Sequence, residues 1–247
     1  MVSTLTKPVP NSVRDERGYS QLWSESPSLV VRTSRRATLL AQSLNLRPGG
    51  RVLEIGSGVG TKAGIVADIT GCRVTGLDLS EQFTQRARAA NTGNDSVEFV
   101  CASVAQLVSE TPGVYDAIYG DGILHHLVYD LDRSLALLQR LLRPGGSLAF
   151  IEPNKANPYV FGIFNVERLR KLTHLEPDEM AFTKTFIATK WTSSGFANVN
   201  VLYRDFLVPG TPSFAVGPLT ALGAMLEKTR GLRLLSQSLL ITGNSPT

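Results

Sequence analysis

Short apolar runs and amphipathic stretches alternate along the middle of the chain. The apolar runs predict β-strands at 51–55, 73–78, 97–101, 115–120 and 147–151. Between them, apolar residues recur at helical intervals, which predicts helices at 61–70, 81–91 and 131–142. Because strand and helix alternate strictly, we expect an α/β fold in which a doubly wound, mostly parallel sheet carries helices on both faces.

The segments flanking this region predict a lid, a cap and the rest of the sheet. Residues 19–46 show helical periodicity that stops at Arg47-Pro48-Gly49-Gly50. The stretch after Glu152 is rich in Asn, Pro and aromatic residues, which favours a cap over a substrate. The pattern then predicts a helix at 186–194, a strand at 199–203, a helix at 214–228 and a strand at 234–241. The two further strands bring the sheet to seven.

The length of 247 residues fits a single domain. We divide it into a flexible tail (1–18), a helical lid (19–46), a cofactor-binding core (47–152), a substrate cap (153–190) and the C-terminal part of the sheet (191–247). Residues 1–17 lack the apolar core of a signal peptide, and the apolar stretch at 219–226 is too short to span a bilayer. We therefore expect a cytoplasmic protein without stable membrane insertion.

The glycines after the first strand carry the clearest chemical signal. The run Val52-Leu-Glu-Ile-Gly-Ser-Gly-Val-Gly60 ends in three glycines at alternate positions, which leave the backbone open to a ligand. Asp78 ends the second strand, where a carboxylate can accept hydrogen bonds from both hydroxyls of a ribose. The third glycine stands one residue too early for the dinucleotide fingerprint. Together these features predict a site for an adenosyl cofactor.

The complete motif, Glu54-x-Gly56-x-Gly58-x-Gly60, resembles motif I of the class I S-adenosylmethionine-dependent methyltransferases. Residues 115–127 and 141–148 are similar to the fourth-strand and fifth-strand motifs of the small-molecule branch of that family. The resemblance implies a Rossmann-like sheet whose last strand is inserted antiparallel, with S-adenosylmethionine as the cofactor and S-adenosylhomocysteine as the product. The cofactor contacts that it implies are Glu54, Gly56, Ser57, Gly58, Gly60, Asp78, Leu79, Ala102, Ser103 and Asp121.

Two histidines follow the fourth strand, at the sheet edge where such folds bind their ligands. A hydroxyl acceptor must lose a proton, so we expect His125 or His126 to act as the base, with one ring facing the pocket and the other making a structural hydrogen bond. Glu152, at the tip of the fifth strand, is the third candidate catalytic residue. We expect no metal, because no tight carboxylate cluster demands one.

Aromatic residues near the same edge are candidates for substrate binding: Tyr19, Trp23, Tyr129 and Tyr159. The acceptor is expected to be a small molecule bearing a hydroxyl, of biosynthetic origin, and the protein is expected not to bind nucleic acid. Homodimer formation is left open. The alternatives are a C- or N-methyltransferase, an RNA methyltransferase favoured by the arginines before the glycine turn, and a cyclase or binding protein that keeps the cofactor without methylating.

Overall fold

The computed structural model describes residues 27–110, 112–173, 175, 179–208 and 210–247. Its seven strands form one sheet in the order β3-β2-β1-β4-β5-β7-β6. They are β1 (Arg51–Ile55), β2 (Arg73–Asp78), β3 (Val97–Cys101), β4 (Tyr115–Asp121), β5 (Leu142–Pro153), β6 (Ala197–Arg204) and β7 (Ser238–Asn244). Strands β1 to β5 are parallel, and β7 pairs antiparallel with both β5 and β6. The seven-stranded, mostly parallel sheet is confirmed, including the antiparallel last strand.

The helices cover both faces of the sheet, as the alternation predicts. They are α1 (Pro27–Ser43), α2 (Thr61–Thr70), α3 (Glu81–Ala90), α4 (Val104–Glu110), α5 (Leu131–Leu141), α6 (Pro158–Asn165), α7 (Glu167–Leu172), α8 (Lys184–Ser193) and α9 (Ser213–Leu226). Short 3-10 turns occupy Leu124–His126, Val128–Asp130 and Leu232–Leu235. Helix α4 was not predicted, and the two cap helices α6 and α7 lie in the segment expected to form the cap.

Two apolar clusters fill the space between the sheet and its helices. Alternate side chains of a strand point to opposite faces, so Leu53 and Ile118 join the cluster with Trp191, while Val52 and Tyr119 join the cluster with α1 and α2. Glu54 therefore lies on the same face as Tyr119, its partner in the register of β1 and β4. This placement puts a carboxyl group inside an apolar layer.

The last strand begins four residues later than predicted. Apolar residues suggested a strand at 234–241, but β7 spans Ser238–Asn244, and Leu232–Leu235 forms an exposed 3-10 turn. Asn154 donates its side-chain amide to the carbonyls of Leu234 and Ser236, at 2.9 and 2.7 Å, which holds this turn beside the cap. Leucines that look like strand residues in sequence are thus held outside the sheet by side-chain hydrogen bonds.

Candidate active site

The glycine turn between β1 and α2 is built as the sequence predicts. Gly56, Gly58 and Gly60 have φ angles of 69°, 52° and 77°, a region that L-residues with side chains rarely adopt. A Cβ on Gly60 would lie 2.6 Å from Cζ of Phe99, whereas a Cβ on Gly58 would meet nothing within 4 Å. The turn is therefore closely packed at Gly60, whereas Gly58 borders open space.

Asp78 is joined to this turn by hydrogen bonds. Its Oδ2 accepts from the backbone N–H of Gly58 at 2.8 Å, and its Oδ1 accepts from that of Ser80 at 2.9 Å. A carboxylate has about four acceptor positions, so both oxygens retain capacity for hydroxyl donors. Sequence-predicted neighbours of the cofactor thus meet at one place, the carboxyl ends of β1 and β2.

The residues predicted beside the adenine lie next to Asp78. The backbone N–H of Ala102 donates to the carbonyl of Asp78 at 3.0 Å, and Leu79 is half exposed. Ser103 already caps α4, because its hydroxyl donates to Oε1 of Gln106 at 2.9 Å and accepts from the Gln106 N–H at 3.2 Å. A contact between Ser103 and an adenine would have to compete with these bonds.

Glu54 and Ser57 place polar atoms inside the protein at the glycine turn. Oε2 of Glu54 accepts from the Tyr119 hydroxyl at 3.1 Å, while Oε1 of Glu54 and Oγ of Ser57 are buried without a hydrogen-bond partner among the described residues. Burial raises the pKa of Glu54 to about 7. Unpartnered buried polar atoms are costly, so this site fits a ligand that supplies polar groups of its own.

Asp121, at the tip of β4, belongs to a network of buried charges. Its Oδ1 accepts from Nη1 of Arg36 at 2.6 Å, and its Oδ2 lies 3.6 Å from Nζ of Lys62. Arg36 also donates to Oδ2 of Asp205 at 3.0 Å, and so does Arg32 at 2.7 Å. Burial alone would raise the pKa of Asp121, but the charges of Arg36 and Lys62 outweigh it and lower that pKa. Asp121 thus ties helix α1 to the edge of the sheet.

Glu152 organises the loop that follows β4. Oε1 accepts the backbone N–H groups of Ile123 and Leu124 at 3.0 and 2.7 Å, and Oε2 lies 2.8 Å from Nδ1 of His125. His125 is buried, and burial would lower its pKa, but the hydrogen bond and charge of Glu152 raise it. This contact fixes the orientation of the His125 ring. Its Nδ1 faces the carboxylate of Glu152, and its Nε2 lies on the opposite side of the ring.

The cap adds a second carboxylate that the sequence did not reveal. Glu179 is buried, with Oε2 3.6 Å from Nε2 of His125 and Oε1 3.4 Å from Nδ1 of His126. The centroids of the two imidazole rings lie 4.1 Å apart with the ring planes tilted by 35°, and His126 is the more exposed. Donor atoms of these three residues lie within 4.8 Å of one another, close enough to surround a metal ion.

The predicted aromatic residues are only partly accounted for. Tyr159 lies on α6 and is 42% exposed, while Phe164 of the same helix meets the ring of His125 edge-on at 6.1 Å. Tyr129 falls in the 3-10 turn Val128–Asp130, and its side chain is outside the description. Tyr19 and Trp23 lie outside the described residues.

Comparison with known proteins agrees with this geometry. Residues 53–150 match a family model described as a methyltransferase domain. The chain is 31% identical over 160 residues to sarcosine/dimethylglycine N-methyltransferase of Halorhodospira halochloris, covering 63% of this chain and 56% of that protein. It is 35% identical over 167 residues to 27-O-demethylrifamycin SV methyltransferase of Amycolatopsis mediterranei, covering 59% of each. The matched region thus spans less than two thirds of either relative.

A solved structure extends the similarity of fold to the whole chain. A complex between the Haloferax volcanii Trm112 methyltransferase activator and a methyltransferase matches with a TM-score of 0.67 and 19% identity. The match covers 97% of this chain and 100% of that one. At this level of identity the likeness concerns the fold alone.

Proposed function

We propose that this protein, which belongs to the class I S-adenosylmethionine-dependent methyltransferases, transfers a methyl group to a hydroxyl of a small organic molecule. The observation that carries the choice of a hydroxyl is the buried pair of Glu152 and His125, whose atoms lie 2.8 Å apart beside the cap. A hydroxyl needs a base, and this pair provides one. One of the relatives compared above acts at oxygen by its name and the other at nitrogen.

The residues at the first two strands fit S-adenosylmethionine. Asp78 would accept hydrogen bonds from the ribose hydroxyls, and the open backbone at Gly58 would leave room for the cofactor. The unpartnered Oε1 of Glu54 and Oγ of Ser57 would meet its polar groups. When bound, the cofactor supplies an electrophilic methyl group on a sulfonium sulfur.

The residues of the loop and the cap would act on the acceptor. The hydroxyl proton would move to Nε2 of His125 as the acceptor oxygen becomes the nucleophile, and Glu152 would hold Nδ1–H and stabilise the imidazolium. Nε2 of His125 lies 3.6 Å from Oε2 of Glu179, which is too far for a good hydrogen bond. The acceptor oxygen would therefore not have to break a hydrogen bond between these two residues. Phe164 meets the ring edge-on from α6, and this apolar neighbour would help to exclude water from the base.

The RNA alternative loses part of its support. That alternative was based on the arginines that precede the glycine turn. On α1, however, Arg32 pairs with Asp205, Arg35 pairs with Glu227, and Arg36 pairs with both Asp121 and Asp205. These pairs stabilise the position of the helix instead of leaving the positive charge for phosphates. Arg14 and Arg17 lie outside the described residues.

The proposal is tested by incubating the purified protein with methyl-labelled S-adenosylmethionine and a panel of phenols, sugars and hydroxy acids, with matched amines as a second panel. We expect label in an O-methyl product and S-adenosylhomocysteine formed in equal amount. Label that enters only the amines would replace the proposal with N-methylation. Cofactor that binds but is never demethylated, with any acceptor, would favour the non-methylating alternative.

A further inference from the structure

Helix α9 has an unusual surface. Its sequence, Ser213–Leu226, contains no charged residue, yet within the described structure its buried residues are only Val216 and Gly223. Phe214 is 85% exposed and Met225 is 68% exposed. A helix on the surface of a protein normally turns a polar face to water, so this one has an apolar face that needs an explanation.

The apolar surface continues past the end of α9. The chain turns through Lys228 and Thr229 into the 3-10 turn at Leu232–Leu235, whose three leucines are 44–46% exposed. The carbonyl of Leu235 accepts from the side chain of Asn157, which caps α6. The turn is thereby fixed beside a second helix without charged residues and with exposed aromatic rings.

We call this surface the apolar face and define it by six residues, Tyr159, Phe161, Leu222, Met225, Leu232 and Leu235. In the sequence, positively charged residues lie between Met225 and Leu235. Lys228, Arg230 and Arg233 are exposed, and Glu227 is the one acidic residue between 213 and 235. Glu227 turns inward, where it pairs with Arg35 at 3.3 Å and its side chain is 11% exposed. The exposed charge of this segment is therefore positive.

We propose that the apolar face binds the surface of an anionic phospholipid membrane. Exposed leucines and aromatic rings enter the boundary between headgroups and acyl chains, while interspersed lysine and arginine side chains meet the lipid phosphates. None of the helices in the described ranges is long and apolar enough to cross a bilayer, so the contact is one with the surface. A protein partner would have to offer both apolar area and negative charge. An anionic lipid surface supplies both directly.

The apolar face also lies next to the candidate active site. Helix α6 exposes Tyr159 and Phe161 on its outer side and places Phe164 against His125 on its inner side. A membrane bound at the apolar face would therefore contact the same helix that covers the acceptor. The proposal concerns binding and does not depend on which acceptor is methylated.

The test is sedimentation of the full chain with vesicles of phosphatidylcholine, with and without about one third phosphatidylglycerol. We expect the protein to pellet with the anionic vesicles and less at high salt. Leu232→Ser together with Leu235→Ser should weaken binding on the order of tenfold, and Arg230→Glu together with Arg233→Glu should do the same. Ile69→Ser is the control, because Ile69 is 49% exposed on α2, outside the apolar face.

Three outcomes would overturn the proposal. The first is the absence of pelleting with anionic vesicles by the folded chain. The second is unchanged binding in both double variants while each keeps the circular dichroism spectrum of the parent. The third is concentration-dependent self-association that the leucine variants abolish without any vesicle binding, which would make the surface an interface between protein molecules.

Discussion

Glu152 contacts His125 twice, because its Oε2 lies 2.8 Å from Nδ1 of the ring and accepts the backbone N–H of the same residue at 3.3 Å. The other oxygen of Glu152 holds the two preceding backbone amides. One carboxylate therefore sets both the path of the loop and the orientation of the imidazole. This double role separates His125 from His126, which the sequence alone left equivalent.

Replacing the histidines one at a time tests this distinction. His125→Ala should lower kcat by about a hundredfold or more, because it removes the proposed base, whereas His126→Ala should lower it by less than about tenfold. The measurement is turnover of the acceptor found in the screen, with calorimetric binding of S-adenosylhomocysteine as a check on the cofactor site. Equal losses in the two variants would contradict the assignment.

The pH profile should show the effect of Glu152 on His125. A base must be deprotonated, so kcat should rise with pH, with its midpoint above 6.5 because the pKa of His125 is raised. Glu152→Gln removes the charge that raises it but leaves the burial that lowers it, so the midpoint should move to lower pH. Glu110→Gln, an exposed change on α4, should leave the profile in place.

Two glycine substitutions separate cofactor contact from backbone strain. Gly58 and Gly93 both have positive φ and open space where a Cβ would stand, so alanine at either should cost about 1–2 kcal/mol of unfolding free energy. Gly58→Ala should in addition weaken binding of S-adenosylhomocysteine by at least about tenfold, because the methyl group fills the open space in which we propose that the cofactor binds. Equal affinities of the two variants, measured by calorimetry, would remove Gly58 from the site.

The charge network around Asp205 should contribute to stability at neutral pH. Burial would raise the pKa of Asp205, but Arg36 and Arg32 lower it from 3.8 to about 2. A depressed pKa stabilises the folded state above pH 3.8, and the contribution is lost as pH falls towards 2. Asp205→Asn should therefore cost about 2 kcal/mol at pH 7, or a Tm lower by about 4–8 °C.

The control for this change is Asp132→Asn, which breaks an exposed pair with Lys190 at 2.7 Å. Exposed pairs contribute about 0–1 kcal/mol, so its Tm should stay close to that of the parent. The difference between Asp205→Asn and the parent should shrink as the pH is lowered below about 4. A difference that persists unchanged to pH 2 would show that lost packing, and not charge, is responsible.

Chelation tests the expectation that the reaction needs no metal. His125, His126 and Glu179 could surround an ion, but the proton-transfer role assigns His125 to the acceptor instead. Turnover should therefore be unchanged after dialysis against EDTA and after addition of Mg²⁺. Activity that is lost on dialysis and restored by one ion would assign the three residues to metal binding.

The local features of the fold could be predicted from the sequence. Strand and helix periodicity located β1 to β4 within a residue. The glycine turn and Asp78 meet at the sheet edge as the sequence predicts, and their contact with a cofactor stays a prediction. These signals are contained in short stretches of chain, where the pattern of side chains dictates the local structure. The expectation of a cytoplasmic location stays a prediction, and homodimer formation stays open.

Features that join distant segments could not be predicted. Glu179 reaches the histidines across more than 50 residues of sequence, and no spacing or motif marks it. Asp121 was expected beside the cofactor, but its partner Arg36 comes from a helix 85 residues earlier. Leu232–Leu235 has the composition of a strand, yet side-chain bonds from the cap hold it in a turn.

The side chain of Ile123 packs against two glycines of different strands. A Cβ on Gly56 would lie 2.9 Å from its Cδ1, and one on Gly120 would lie 2.7 Å from its Cγ2. A branched residue packed this closely couples the cofactor turn to the loop that carries His125. Occupancy of either ligand pocket should thus change affinity at the other, and by thermodynamic reciprocity the factor is equal in both directions. On the proposed function, the cofactor and the acceptor would then bind as a linked pair, each changing the affinity for the other.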